Sequence, residues 1–174
     1  MNKVMVPNLK FDWVLLDENL SDIKLRTASG KEIPAHKLML ATASPVFKAM
    51  FTLDMLEKKS QSVNMIDISY EAAIEMLRYI YTGSIENGEF SLAMELLLVG
   101  EKYQLEGLKN KCEKILSLEL SSENAVDILK VANKCNMSSL KKNAVDFIKQ
   151  YMSVSSDSDD VGNMILSMER LFAK

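Results

Sequence analysis

The sequence predicts an α+β fold: a small sheet of three or more strands flanked by helices, followed by a purely helical extension. Three observations predict it. Ile23 and Leu25 alternate with Lys24 and Arg26, and Val63 and Met65 repeat the alternation within Ser62–Ile66. Side chains on a strand point to opposite faces in turn, so this period of two marks half-buried strands. Between these strands, and from Ser69 to Tyr151, apolar residues recur every three to four positions, the period of a helix.

The elements follow in order. Phe11, Trp13, Val14, Leu15 and Leu16 form a dense apolar cluster before Asp17-Glu18-Asn19. It reads as a short helix or strand with too many apolar groups for a free terminus. Ile23–Arg26 is the first strand. Ala28-Ser29-Gly30-Lys31 is a turn, with Gly30 free to take positive φ. Glu32-Ile33-Pro34-Ala35 is the second arm of a hairpin, and Pro34, which has no N–H, implies that the arm lies at an edge or ends there. From His36, Leu38, Leu40 and Ala41 suggest a helix that ends before Ser44. Ser44-Pro45 starts another, with Ser as N-cap and Pro at the first helical position, and it carries Val46, Phe47, Met50 and Phe51.

After the third strand, Ser69 caps a helix that runs through Tyr81 and stops at Gly83. The next two helices are marked by Leu92, Leu96, Val99 and Tyr103, and by Leu105, Leu108, Cys112, Ile115 and Leu116. Ser121 is the expected cap of a helix with Glu123 in its first turn and Ala125, Ile128, Leu129 and Ala132 on its apolar face. A further helix carries Leu140, Ala144, Phe147, Ile148 and Tyr151. Ser153–Asp160 reads as a linker, after which Ile165, Met168 and Phe172 regain helical spacing.

Composition narrows the function. A net charge of -3 over 174 residues argues against a phosphate backbone as the main partner. Lys58-Lys59 and Lys141-Lys142 are the longest basic runs and read as solvated faces. No apolar run approaches the length of a membrane span. The residues before Lys10 are too few and too polar for a signal peptide. Two cysteines, Cys112 and Cys135, sit within helical patterns and read as buried free thiols, which suits the nucleus or cytoplasm.

Catalytic and metal chemistry find little to build on. His36 is the one histidine, and one His with two distant Cys offers no chelating spacing. A cysteine hydrolase would need Cys112 or Cys135 exposed beside His36. Gly83 and Gly88 are too sparse for a phosphate-cradling loop. The expectation is a protein with no cofactor and no catalytic residue. Four of the twelve methionines (Met39, Met50, Met65, Met76) fall on apolar faces, as core fillers do. Met55 instead lies in Leu53-Asp54-Met55-Leu56-Glu57, between a helix and a strand, where a partner could reach it.

These elements, in this order, resemble the BTB/POZ domain. The resemblance is carried by Asp22-Ile23-Lys24-Leu25, Ala35-His36-Lys37-Leu38-Met39-Leu40-Ala41 and Ser44-Pro45-Val46-Phe47-Lys48-Ala49-Met50-Phe51. It continues through Tyr79-Ile80-Tyr81-Thr82-Gly83, Glu101-Lys102-Tyr103-Gln104-Leu105 and Leu108-Lys109 to Cys112-Glu113. Beyond it, Leu120–Ala125 and Asn143–Ile148 are similar to the helical, BACK-like extension of the speckle-type POZ protein group. The expected division is a BTB/POZ domain over residues 1–118 and a partial BACK-like extension over 119–174. In that group a MATH domain recruits substrates. Only residues 1–19 precede the signature here, so that domain is not expected within this chain.

The resemblance implies a homodimer formed through the amino-terminal element and the first helix, by Phe11, Val14, Leu15 and Leu16 with Met39 beneath them. It implies a contact with a cullin-three type scaffold through Leu53, Met55, Leu56 and Glu57, where cullin-binding members carry an apolar–x–Glu motif. It also implies a partly buried charged pair, Asp22 with Lys37, whose disruption would cost about 3–5 kcal/mol if both were buried. The implied function is a non-catalytic dimeric adaptor that links substrates, bound by a separate recognition domain, to a ubiquitin ligase. The rival is an oligomerisation module in transcriptional repression or scaffold assembly that makes no cullin contact.

Overall fold

The computed structural model describes residues 11–52, 61–154, 162 and 166. The chain divides into two compact units, residues 1–86 and 87–174.

The first unit is built on three strands: β1 (Ile23–Thr27), β2 (Glu32–Ala35) and β3 (Ser62–Met65). Their order is β2-β1-β3. β1 shows strict alternation, with Ile23, Leu25 and Thr27 buried and Lys24 and Arg26 exposed. The hairpin pairs Ile23 with Ala35 and Leu25 with Ile33, and Gly30 turns it at φ 77°. Pro34 does lie on an edge strand. Its register partner Lys24 donates its backbone N–H to Gln61 O on the other side of β1, at 2.8 Å, so no ladder bond is lost to the proline. β3 runs parallel to β1, with Leu25 opposite Val63. A parallel neighbour cannot follow a tight turn, and the chain between β2 and β3 supplies α1 (Lys37–Ala43) and α2 (Pro45–Thr52).

Ser44 caps α2 as expected: its hydroxyl accepts from the Phe47 N–H at 3.2 Å. α3 (Tyr70–Thr82) is delimited by chemistry at both ends. Ser69 Oγ accepts from the Ala72 N–H at 3.1 Å. Gly83 takes φ 74°, a left-handed conformation that costs glycine little, and its N–H returns to Tyr79 O. The helix buries Ala72, Ala73, Met76 and Leu77. Met65 and Met76 are fully buried, the core-filling role expected of them. Glu75, buried in the middle of α3, accepts from Arg78 Nε and from the Glu86 backbone N–H, which ties the chain after Gly83 back to the helix.

The second unit contains α4 (Phe90–Lys102), α5 (Glu106–Leu118), α6 (Ala125–Lys134) and α7 (Ser138–Val154). α4 packs on α5 and α6 on α7, and further contacts join α4 to α6 and α5 to α7. One expectation needs correcting. Ser121 is not the cap of α6 and Glu123 is not in its first turn; the helix begins at Ala125, with Asp127 in the first turn. The cause is Asn124. Its amide oxygen accepts from the Ser121 N–H at 2.9 Å and its amide nitrogen donates to Glu119 O at 2.7 Å. These bonds hold residues 121–124 in a turn, and Ser121 contributes its carbonyl to Ala125 N rather than its hydroxyl. α7 continues to Val154, past the expected start of the linker at Ser153; residues 155–160 lie outside the described residues.

Candidate functional site

The amino-terminal cluster folds as a single 3-10 turn, Asp12–Val14, packed on α3. Three consecutive residues on so tight a turn cannot all face inward. Val14 is buried, at 8% exposure, while Trp13 stands out at 67% and Phe11 and Leu16 at 36% and 39%. Leu16 also takes φ 65°, a conformation rare for a branched apolar residue. Leu20 and Leu38 are exposed as well, at 55% and 76%, and Leu15 and Met39 are partly exposed. Of the expected interface residues Phe11, Val14, Leu15, Leu16 and Met39, all but Val14 are at least partly exposed. Val14 serves its own unit's core, and Trp13, Leu20 and Leu38 present apolar surface that the sequence reading did not assign. The signal for Leu38 was available. It precedes Leu40 by two positions, about 200° around a helix, so the two cannot share the core face.

The segment expected to meet the scaffold, Leu53, Met55, Leu56 and Glu57, lies outside the described residues. Its borders are described: α2 ends at Thr52 and β3 starts at Ser62.

Asp22 and Lys37 are brought together, though not as a buried charged pair. Asp22 is exposed, and its Oδ1 accepts from the backbone N–H of Lys37 at 2.7 Å. The Lys37 ammonium lies over the Phe51 ring, 5.8 Å from its centroid. The carboxylate therefore satisfies one of the orphan amides at the start of α1, which its own N-cap residue, His36, does not reach with its side chain. An exposed cap is worth less than a buried ion pair. Asp22→Ala should lower the unfolding free energy by about 1 kcal/mol, and Asp22→Asn, which keeps an acceptor, by less; urea titration followed by circular dichroism checks both.

His36 is engaged structurally. Its backbone N–H donates to the Tyr81 hydroxyl at 3.0 Å, and its Nδ1 stands 2.7 Å from the same oxygen. Burial pushes the Tyr81 hydroxyl up to about 12. Both cysteines are buried. Burial pushes the Cys112 thiol up to about 12 and raises Cys135 as well. The Cys135 thiol donates weakly to Leu97 O at 3.7 Å. A protonated thiol is a poor nucleophile. Neither cysteine should react with a colourless disulfide reagent at pH 8 in the folded protein, and both should react on addition of guanidinium. Rapid reaction of the folded form would reopen the cysteine-hydrolase reading. Among the described residues no three His, Cys, Asp or Glu side chains could hold a metal ion, and no described helix is long and apolar enough to cross a membrane.

The second unit carries a groove of about 550 Å³ between α4 and α6. Phe90, Met94 and Leu98 line one side, Val131 the other, and Lys130 and Lys134 stand at the rim.

Comparison with known proteins matches the profile of the BTB/POZ domain to residues 11–120. The chain is 39% identical over 147 residues to the TD and POZ domain-containing protein 4 of Mus musculus. That match covers 84% of this chain and 40% of the relative, so the chain spans about two fifths of the relative's length. Among solved structures, it is similar to the BTB domain of zebrafish PATZ1, with a TM-score of 0.47 and 23% identity over 55% of this chain and 75% of that one. It is also similar to the BTB domain of human Gigaxonin, with a TM-score of 0.48 and 26% identity over 55% and 76%.

Proposed function

This chain belongs to the BTB/POZ domain family, and we propose that it is a homodimeric adaptor that links substrate proteins to a cullin-three type scaffold. BTB domains are protein-interaction modules that typically self-associate. The apolar side chains left outside the core at Trp13, Leu16, Leu20 and Leu38 support self-association here. Exposed apolar surface of this kind is a liability unless another surface covers it.

The observation that carries the scaffold contact is the place of Met55-Leu56-Glu57 in the chain. These residues fall between the end of α2 at Thr52 and the start of β3 at Ser62, where cullin-binding relatives hold their apolar–x–Glu motif. A methionine can fill an apolar hollow on a partner helix while the neighbouring glutamate fixes its register. Each dimer would offer two such sites, and the resulting avidity could exceed the affinity of either. The α6–α7 pair, in this reading, is the start of a BACK-like extension. Substrates would be recruited by a separate recognition domain, in the nucleus or cytoplasm.

Calorimetric titration of the purified chain with the amino-terminal region of a cullin-three scaffold tests the proposal. The expected result is tight binding that a Met55→Ala, Glu57→Ala double variant weakens by more than about 2 kcal/mol, the range of an interface hot spot. A folded, dimeric wild type that does not bind would leave an oligomerisation module for repression or scaffold assembly.

A further inference from the structure

The α4–α6 groove has the shape of a seat for a helix. Phe90, Met94 and Leu98 recur every four residues, so they form one stripe along α4, and all three are only half-buried. Val131 closes the opposite wall. Lys130 and Lys134, one turn apart on α6, stand on its rim; Lys130 also holds Asp127 at 2.9 Å.

Residues 155–174 follow α7 in sequence. Val161, Ile165, Met168 and Phe172 recur at i, i+4, i+7 and i+11, a narrow apolar stripe on a helix. Gly162 and Leu166 are helical and exposed, Leu166 at 55%. At about 100° per residue they sit on the flank turned away from that stripe. Asp157, Asp159 and Asp160 precede it, opposite in sign to Lys134; Lys130 is paired with Asp127, and Glu95 also lines the groove. Reach is sufficient. α6 has 10 residues and α7 has 17, and only residues 135–137 join them. Two helices so joined lie antiparallel, so α7 outruns α6 by seven residues, about 10 Å. A tether of residues 155–160 spans up to about 20 Å.

We propose that residues 161–172 dock as a helix in the α4–α6 groove of their own chain, with Ile165, Met168 and Phe172 against Phe90, Met94, Leu98 and Val131. The groove is then a site that the chain's own carboxyl-terminal segment covers.

The test uses the full chain. Amide hydrogen exchange across residues 163–172 should be at least tenfold slower in the wild type than in an Ile165→Glu, Met168→Glu variant, whose changes lie outside the packed helices. In parallel, Met94→Cys with Met168→Cys, treated with a short bismaleimide, should give a cross-linked species with the mass of one chain; the buried Cys112 and Cys135 stay unmodified. Exchange equally fast in wild type and variant would overturn the proposal. So would a cross-link found only between two chains, which would make the groove an interface between copies.

Discussion

Replacing Lys109 with alanine is expected to lower the unfolding free energy of the protein by about 3 kcal/mol, at the lower end of what removing one partner from a buried ion pair costs. Lys109 is 5% exposed, and its ammonium reaches Glu101 at 2.6 Å and Glu106 at 3.2 Å. Glu101 also accepts from the Asn136 side chain at 3.3 Å. One lysine on α5 thereby fixes the end of α4 and, through Glu101, the turn between α6 and α7. Its stem passes over Gly100 so closely that a Cβ there would stand 2.7 Å from Lys109 Cγ. The alanine variant loses the ion pairs and leaves a gap where the stem lay. The cost stays near the lower bound because Glu101 is 35% exposed and water can reach it. Lys109→Met keeps the stem and should cost clearly less. Equal losses for the two variants in urea titrations would show that charge alone matters there. A loss under 1 kcal/mol for Lys109→Ala would show that the site is effectively wet.

The same pair sets a pH dependence. The Lys109 ammonium holds the Glu101 carboxyl below its ordinary value of 4.5, ahead of the opposing effect of burial. A carboxyl lowered in the folded state contributes stability above its ordinary value, and that contribution is lost as pH falls through the folded value. For Lys109, burial opposes the charge, but the hydrogen bonds it donates to Glu101 and Glu106 outweigh it and leave the ammonium raised above 10.5. Its contribution is complete below that value and is lost as pH rises through the folded one. Wild-type stability should therefore fall on the acid side of the carboxylate range and again in strong alkali, and Lys109→Met should remove part of both slopes.

Lys109 also shows where the sequence is silent. The elements that rest on local chemistry were legible: the alternation of Ile23–Arg26, the Ser44-Pro45 start, the Ser69 and Gly83 ends of α3. Each depends on atoms a few residues apart, so each leaves a local pattern. Lys109 looks like any solvated helix lysine, because its nearer partner, Glu101, lies on another helix and its space is made by a glycine nine positions earlier. Ser121 misled for a related reason. Serine and asparagine both cap helices, and the choice between Ser121 and Asn124 was made by a bond to Glu119 O that no spacing rule encodes. The amino-terminal cluster was legible as apolar but not as a division between inward Val14 and outward Trp13. That division depends on the 3-10 turn and on α3, fifty-odd residues away in sequence.

That division makes the self-association surface testable by contrast. The wild type is expected to have the mass of two chains by light scattering, and a Trp13→Glu, Leu16→Glu variant should be folded and monomeric at the same concentration. Both side chains are already outside the core, so the folded monomer loses little. A carboxylate at each would have to be desolvated to re-form an apolar interface. If each position is a hot spot worth about 2 kcal/mol over its two copies in the dimer, the pair should raise the dimer dissociation constant by roughly a thousandfold. Val14→Ala should do the reverse. It removes buried methyls, so the unfolding free energy should fall by about 1–2 kcal/mol while the mass in solution stays at two chains. Dimers that survive the Trp13, Leu16 change would place the interface elsewhere. Monomers produced by Val14→Ala alone, with the fold intact, would mean that the turn Asp12–Val14 itself must hold its shape for two chains to meet.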